Sequence, residues 1–199
     1  MKKSIIAVLL LALILSLCAC TGKTGKKPEE VQQTPEIVAT PEPAPDPTEL
    51  YADVIAENMR DGVGVYLQDL DGDGIQELFI GPTSGDIYEK QIIRSMYTLR
   101  NNIPEEVFSS SDRDEFYLTN NGTVVEYAYQ NAYDSSHIYY SYSGGELNRI
   151  ITVGFDMRGN PEMPYYKQEG DEDRVTIDET QYFDWVQMYE STYESLPFN

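Results

Sequence analysis

Four acidic side chains stand in one short segment of the chain, DLDGDGIQE, the first three of them at alternate positions. A hard cation such as Ca²⁺ binds about six to eight oxygen atoms, and alternate carboxylates in a tight loop converge on one point. The two glycines of the segment allow the backbone to turn around the ion. We therefore predict a calcium site with these ligands: the side chains of Asp69, Asp71, Asp73 and Glu77, and the backbone carbonyl of Ile75.

This loop differs from the helix-loop-helix calcium site. That site requires a glutamate at the twelfth loop position, where this chain has Ile80. The flanking segments VGVYL and LFI favour strands rather than helices. A plain hairpin turn of Asp and Gly is the alternative. Against it, four carboxylates within nine residues repel one another unless a cation lies among them.

The spacing D-x-D-x-D-G-x-x-E, followed by a hydrophobic strand, resembles the β-hairpin calcium loops of FG-GAP, integrin-type and VCBS repeats. The longer segment from Tyr66 to Gly81 resembles a recurrent segment of uncharacterised surface lipoproteins of Gram-positive gut bacteria. This resemblance implies calcium binding and a surface location, and it carries no established reaction. Because the chain has a single such loop, where FG-GAP and VCBS proteins have repeats, no propeller is implied.

The first 19 residues have the pattern of an export signal. Lys2 and Lys3 precede an apolar stretch, Ile5–Leu17, that is shorter than the roughly 20 residues of a membrane-spanning helix. The stretch runs into Leu17-Cys18-Ala19-Cys20, which resembles the lipobox of bacterial lipoproteins. The resemblance implies cleavage before Cys20 and attachment of a palmitate-type lipid to its thiol. An ordinary signal peptide or an uncleaved anchor is the alternative.

Removal of residues 1–19 takes away two lysines and no acid, so the formal charge moves from −20 to −22. Such a charge argues against nucleic acid as a partner and suits cation binding. Residues 20–47 are rich in proline and polar side chains, which predicts a disordered stalk. Residues 48–199 are then a single calcium-binding domain, attached to the cell membrane through Cys20 and facing the outside.

The domain is predicted to be α+β. A helix is expected from Thr48 to about Asp61, and a second from about Asp178 to Tyr193, capped by Thr176 or Asp178. Between them, an aromatic strand end followed by two turn residues occurs three times, at Asn101-Asn102, Asn120-Asn121 and Gly144-Gly145. This pattern predicts one antiparallel meander sheet with both helices packed on it. The second helix has an apolar stripe of Tyr182, Trp185, Val186 and Tyr189.

Other polar clusters give weaker signals. His137, the one histidine, follows Asp134, Ser135 and Ser136, but residues this close in sequence cannot face one another as a catalytic triad. Paired acids of the kind a glycosidase uses occur at two places, which solvated loops also explain. They are Asp112, Asp114 and Glu115, and Asp171, Glu172 and Asp173.

Sixteen tyrosines in one small domain can be explained in two ways: they form a tyrosine-rich core, or they form an exposed platform that binds a sugar or a protein. Three functions follow from the sequence. The first is a non-catalytic binding or adhesion domain with a structural calcium loop and an unknown protein or glycan ligand. The second is a carbohydrate-binding module that uses exposed tyrosines. The third and weakest is a glycoside hydrolase.

Overall fold

The computed structural model describes residues 45–199. The predicted export signal, Cys20 and the predicted stalk up to residue 44 lie outside these residues. Within them, no helix is long and apolar enough to cross a membrane. The first helix begins at Pro47, where Asp46 caps it by accepting a hydrogen bond of 2.9 Å from the Thr48 N–H.

The described residues form three α-helices, one 3-10 turn and ten strands. The helices are α1 (Pro47–Leu50), α2 (Ala52–Asn58) and α3 (Glu179–Glu190), and the 3-10 turn is Glu89–Gln91. The strands are β1 (Val63–Gln68), β2 (Glu77–Pro82), β3 (Ser95–Arg100), β4 (Ile103–Ser109), β5 (Asp114–Leu118), β6 (Val124–Asn131), β7 (Asp134–Ser143), β8 (Glu146–Asp156), β9 (Tyr165–Glu169) and β10 (Val175–Thr176).

The strands form two antiparallel meanders. Strands β1 to β4 make a four-stranded sheet in chain order, and β5 to β10 make a six-stranded sheet in chain order. The chain is therefore mostly antiparallel β with few helices. The sequence predicted a single sheet, and the structure divides the meander after β4.

Two phenylalanines show why the meander divides. Phe108 on β4 and Phe116 on β5 are buried and stack with ring centroids 4.2 Å apart. Both belong to the apolar layer between the sheets, together with Phe79, Met96, Leu118 and Val124. Strand β5 therefore lies across this layer from β4 rather than beside it.

Each sheet also covers a second apolar layer on its outer face. On the four-stranded sheet, Tyr51 from the α1–α2 corner packs with Val63, Leu78 and Ile80. On the six-stranded sheet, Tyr182 and Val186 of α3 pack with a group that includes Val125, Tyr139, Ile151 and Val153. The order of layers is helices, four-stranded sheet, six-stranded sheet, helix.

The predicted hairpin turns occur where the aromatic pattern places them, with one difference. Asn101 and Asn102 have φ of 53° and 62°, and Gly144 and Gly145 have φ of 59° and 81°. Positive φ at both central residues gives the turn that matches the twist of paired strands. In the β5–β6 connection the positive φ falls on Gly122 instead of the predicted Asn120-Asn121 pair.

Both helical segments differ in detail from the sequence expectation. The predicted helix from Thr48 to Asp61 is two short helices that meet at Tyr51, whose buried ring anchors the corner. Helix α3 starts after Asp178, which forms a reciprocal capping box with Gln181. Thr176, the other predicted cap, is instead part of β10.

Candidate metal site

The acidic loop connects β1 to β2 and is closed by their register. Gln68 pairs with Glu77 at the end of the ladder, so the residues between them form the loop. Apolar side chains of both strands are buried on either side of the sheet, which holds the two ends of the loop in fixed positions. The loop is therefore anchored at both ends by a paired hairpin.

Three of the predicted carboxylates converge in this loop. Asp69, Asp71 and Glu77 each offer an oxygen atom, and these atoms all lie within 4.8 Å of one another. This arrangement can hold a metal ion. Asp73 is not part of the cluster, and its Oδ1 accepts a hydrogen bond of 2.7 Å from the Ile75 N–H. The assignments of Asp73 and of the Ile75 carbonyl as ligands stay predictions.

Backbone N–H groups shape the loop around the acidic side chains. Asp69 accepts hydrogen bonds from Gly72 through Oδ1 at 2.8 Å and from Gly74 through Oδ2 at 3.0 Å. Gly72 and Gly74 have φ of 79° and 90°, a region that side chains disfavour. The two glycines therefore let the chain fold back over the Asp69 carboxylate, as the sequence predicted.

Glu77 is the buried member of the cluster, with an exposed fraction of 1 %. Its Oε2 accepts a hydrogen bond of 2.9 Å from the Leu70 N–H, and its Oε1 accepts from the Tyr142 hydroxyl at 2.9 Å and from the Thr98 hydroxyl at 3.3 Å. Burial raises the pKa of Glu77, and the hydrogen bonds act in the opposite direction. A cation beside this carboxylate would compensate its lost hydration.

The loop also contacts the second sheet. Asp71 Oδ2 accepts a hydrogen bond of 2.8 Å from the Gly144 N–H, in the turn between β7 and β8. Tyr142, on β7, approaches Glu77 from the same side. Sequence reasoning recognised Gly144 as part of a turn pattern and Tyr142 as one of the many tyrosines, and it connected neither with the acidic loop. Nothing in their spacing indicates which distant carboxylate they meet.

The remaining sequence candidates are dispersed. Asp171 is exposed and pairs with Arg149 at 2.6 Å, as a solvated loop residue does. Glu115 lies on β5 and accepts a hydrogen bond of 2.6 Å from the Tyr117 hydroxyl. His137 is buried beneath α3. It lies on the face of the six-stranded sheet that is turned away from the acidic loop. Three of the sixteen tyrosines are exposed: Tyr88, Tyr129 and Tyr133.

Comparisons of the chain with known proteins found no match. No protein-family model matches the chain, no curated protein is similar to it, and no solved structure matches it. The likeness of the acidic loop to lipoprotein calcium loops stays a prediction from its residues.

Proposed function

We propose that this protein is a non-catalytic binding or adhesion domain, stabilised by one calcium ion and tethered outside the cell through a lipid on Cys20. The observation that carries the proposal is the convergence of Asp69, Asp71 and Glu77 within 4.8 Å. Three carboxylates at this separation repel one another, and a divalent cation removes that repulsion.

The donor chemistry supports calcium over a softer metal. The cluster offers carboxylate oxygens and no sulfur or imidazole, and such hard ligands suit Ca²⁺, Mg²⁺ or Mn²⁺. If the predicted Ile75 carbonyl and Asp73 carboxylate join the three clustered acids, the ligand number suits the six to eight oxygens of Ca²⁺ better than the strict octahedron of Mg²⁺. Calcium is the natural ion for a domain displayed outside the cell.

The hydrogen bonds of the cluster support a structural role rather than a catalytic one. Asp69, Asp71 and Glu77 each accept at least one backbone N–H bond, which holds the three carboxylates in position on the loop and the adjoining sheet, while each carboxylate keeps at least one lone pair for an ion. A general acid or base instead needs a free path to a substrate proton. The ion would therefore act as a clip that fixes the loop and its neighbours.

Thermal unfolding of the full chain tests the calcium proposal. Extracellular modules bind calcium with dissociation constants of about 10⁻⁴ to 10⁻³ M, so calcium at about 5 mM should add about 1–2 kcal/mol of stability. We expect calcium to raise the midpoint above its value in EDTA by roughly 2–8 °C. Magnesium at the same concentration should raise it less. An unchanged midpoint in calcium would reject the site.

The lipid anchor is tested by labelling cells that express the full chain with palmitate. Wild-type protein should be labelled and recovered with membranes, and Cys20→Ser should be neither. Cys18→Ser is the matched control and should behave as wild type, because a lipid on Cys18 would require cleavage after the bulky Leu17. Label retained in Cys20→Ser would contradict the anchor.

A further inference from the structure

A cavity of about 420 Å³ lies between α3 and the outer face of the six-stranded sheet, away from the acidic loop. Its floor comes from β5, β6 and β7, and one wall comes from Tyr182, Val186 and Glu190 of α3. Tyr88 and Phe183, which are 75 % and 55 % exposed, stand among its lining residues. Cavities of about 300 to 1,000 Å³ are typical of small-molecule sites.

The strand register places the floor residues in one row. Glu115 pairs with Tyr127, and Tyr127 pairs with His137, so the three side chains project side by side from the same face. The Tyr127 and His137 rings are in contact, with centroids 4.8 Å apart. The His137 side chain is 9 % exposed, and its Nδ1 has no hydrogen-bond partner among the described residues. These three side chains on paired strands therefore form the floor of the cavity.

The cavity is aromatic and acidic. Two carboxylates line it, Glu115 from β5 and Glu190 from α3, and no lysine or arginine lines it within residues 45–199. Burial raises the pKa of Glu190, because its carboxylate is partly removed from water. The His137 Nε2 lies 3.9 Å from Glu190 Oε1, too far for a hydrogen bond. The site thus has negative charge and no internal cation to balance it.

The lining does not suit an anion or a sugar stacked on a flat platform. An anion would meet two carboxylates and no basic side chain, so it is repelled. A sugar is usually bound on a flat, open aromatic platform, but these rings are inclined to one another. Tyr182 and Phe183 meet at 73°, and the face of Tyr117 is already covered by Tyr193 at 4.5 Å. Aromatic side chains from both the sheet and α3 line the cavity, and aromatic rings attract a compact cation.

We propose that this cavity binds an organic ammonium ion, with the charged nitrogen against Glu190 and Glu115 and the apolar part against the tyrosine rings. The proposal rests on the proposed binding function and gives it a ligand class. It does not use the metal site. The strongly negative charge of the chain would attract such a ligand from solution.

The one histidine of the chain is a reporter placed in this cavity. We would titrate the full chain, purified without a polyhistidine tag, with choline and follow the imidazole proton resonances of His137 by NMR. The neutral probe 3,3-dimethylbutan-1-ol has the same shape without the charge, and cellobiose represents a neutral sugar. Choline should shift the resonances with saturation, and the neutral isostere should bind at least about tenfold more weakly.

Variants that remove the charge of a single carboxylate test where the ammonium nitrogen of choline binds. Glu190→Gln keeps the size of the side chain and should weaken choline binding by about tenfold or more. Asp184→Asn is the matched control, because Asp184 is an exposed acid of the same helix that does not line the cavity, and it should leave binding unchanged. Glu115→Gln should also weaken binding, and unchanged thermal unfolding of these variants would verify that they are folded.

Four outcomes would overturn the proposal: no saturable shift with choline, equal binding of the neutral isostere, tighter binding or hydrolysis of cellobiose, or equal effects of Glu190→Gln and Asp184→Asn. Equal binding of the isostere would indicate a plain apolar cavity, and a response to cellobiose would indicate a carbohydrate site. Calcium protection without choline binding would reject only the ligand class. Choline binding without calcium protection would reject only the metal site.

Discussion

The Tyr142 hydroxyl donates a hydrogen bond of 2.9 Å to Glu77 Oε1, although the two residues are 65 positions apart and belong to different sheets. Thr98, from the same sheet as Glu77, donates to the same oxygen. One buried carboxylate therefore has partners on both sides of the sandwich. A buried charged group that loses a partner costs more free energy than an exposed one, so this contact couples the acidic loop to the packing of the two sheets.

Replacing Tyr142 with phenylalanine removes this hydroxyl and leaves the ring in place. We expect Tyr142→Phe to lower the free energy of unfolding by about 1–3 kcal/mol, because Glu77 stays buried with one donor fewer. Tyr97→Phe is the matched control, since the Tyr97 hydroxyl donates to Glu106 at the surface. That variant should lose less than about 0.5 kcal/mol. Urea denaturation measures both values, and equal losses would contradict the buried contact.

The four acids of the loop are expected to contribute unequally to ion binding. Asp71 is part of the converging cluster, whereas the Asp73 carboxylate accepts a hydrogen bond from the Ile75 N–H outside it. Asp71→Asn should therefore weaken calcium binding by about tenfold or more, and Asp73→Asn should weaken it less. Calorimetric titration with calcium measures both affinities. Asp112→Asn, in an exposed turn, controls for the general loss of negative charge. The reverse ranking would place Asp73 in the first coordination shell.

Local patterns in the sequence were sufficient to predict the acidic loop and most of the turns. The loop is a contiguous segment between two apolar strands, so its residue types and spacing contain the information that positions Asp69, Asp71 and Glu77. The same holds for Asn101-Asn102, where the preference of asparagine for positive φ predicts the turn directly.

The contacts between the sheets could not be predicted in this way. The alternation within β4 and β5 places Phe108 and Phe116 on apolar faces, but it does not indicate that the two rings stack across a division of the meander. The Tyr142–Glu77 hydrogen bond and the cavity beside His137 depend on the same division. These features follow from how the sheets pack. The hydrophobic periodicity of a single sequence indicates which face of a strand is apolar, but not which other face it packs against.

The β3–β4 turn offers a test of backbone strain. Asn102 has φ of 62°, which costs an ordinary L residue about 1–2 kcal/mol. We expect Asn102→Ala to lower the free energy of unfolding by about 1 kcal/mol and Asn102→Gly to leave it unchanged or raise it. Asn120→Ala is the control, because Asn120 is exposed and does not have a positive φ. A loss with glycine as large as the loss with alanine would show that the side chain, not the backbone, matters at this position.

The buried histidine predicts a loss of stability in mild acid. Burial lowers the pKa of His137 to about 4, whereas an exposed histidine has a pKa of about 6.5. Well above pH 6.5 the imidazole is neutral in both states. As the pH falls from 6.5 towards 4, the unfolded chain binds the proton first, so the free energy of unfolding decreases. The slope is about 1.4 kcal/mol per pH unit, which gives a loss of about 2 kcal/mol by pH 5.

Nearby acids act in the opposite direction and require a control. Burial raises the pKa of Glu190, which faces His137 from α3, so its protonation in acid favours the folded state. Comparing the wild type with His137→Gln by urea denaturation at pH 7 and pH 5 isolates the histidine, because Glu190 and Glu115 are present in both proteins. The wild type should lose about 2 kcal/mol more than the variant between these values. Equal losses would mean that Glu190 accepts the imidazolium as an ion pair in the folded state, and that burial does not control this histidine.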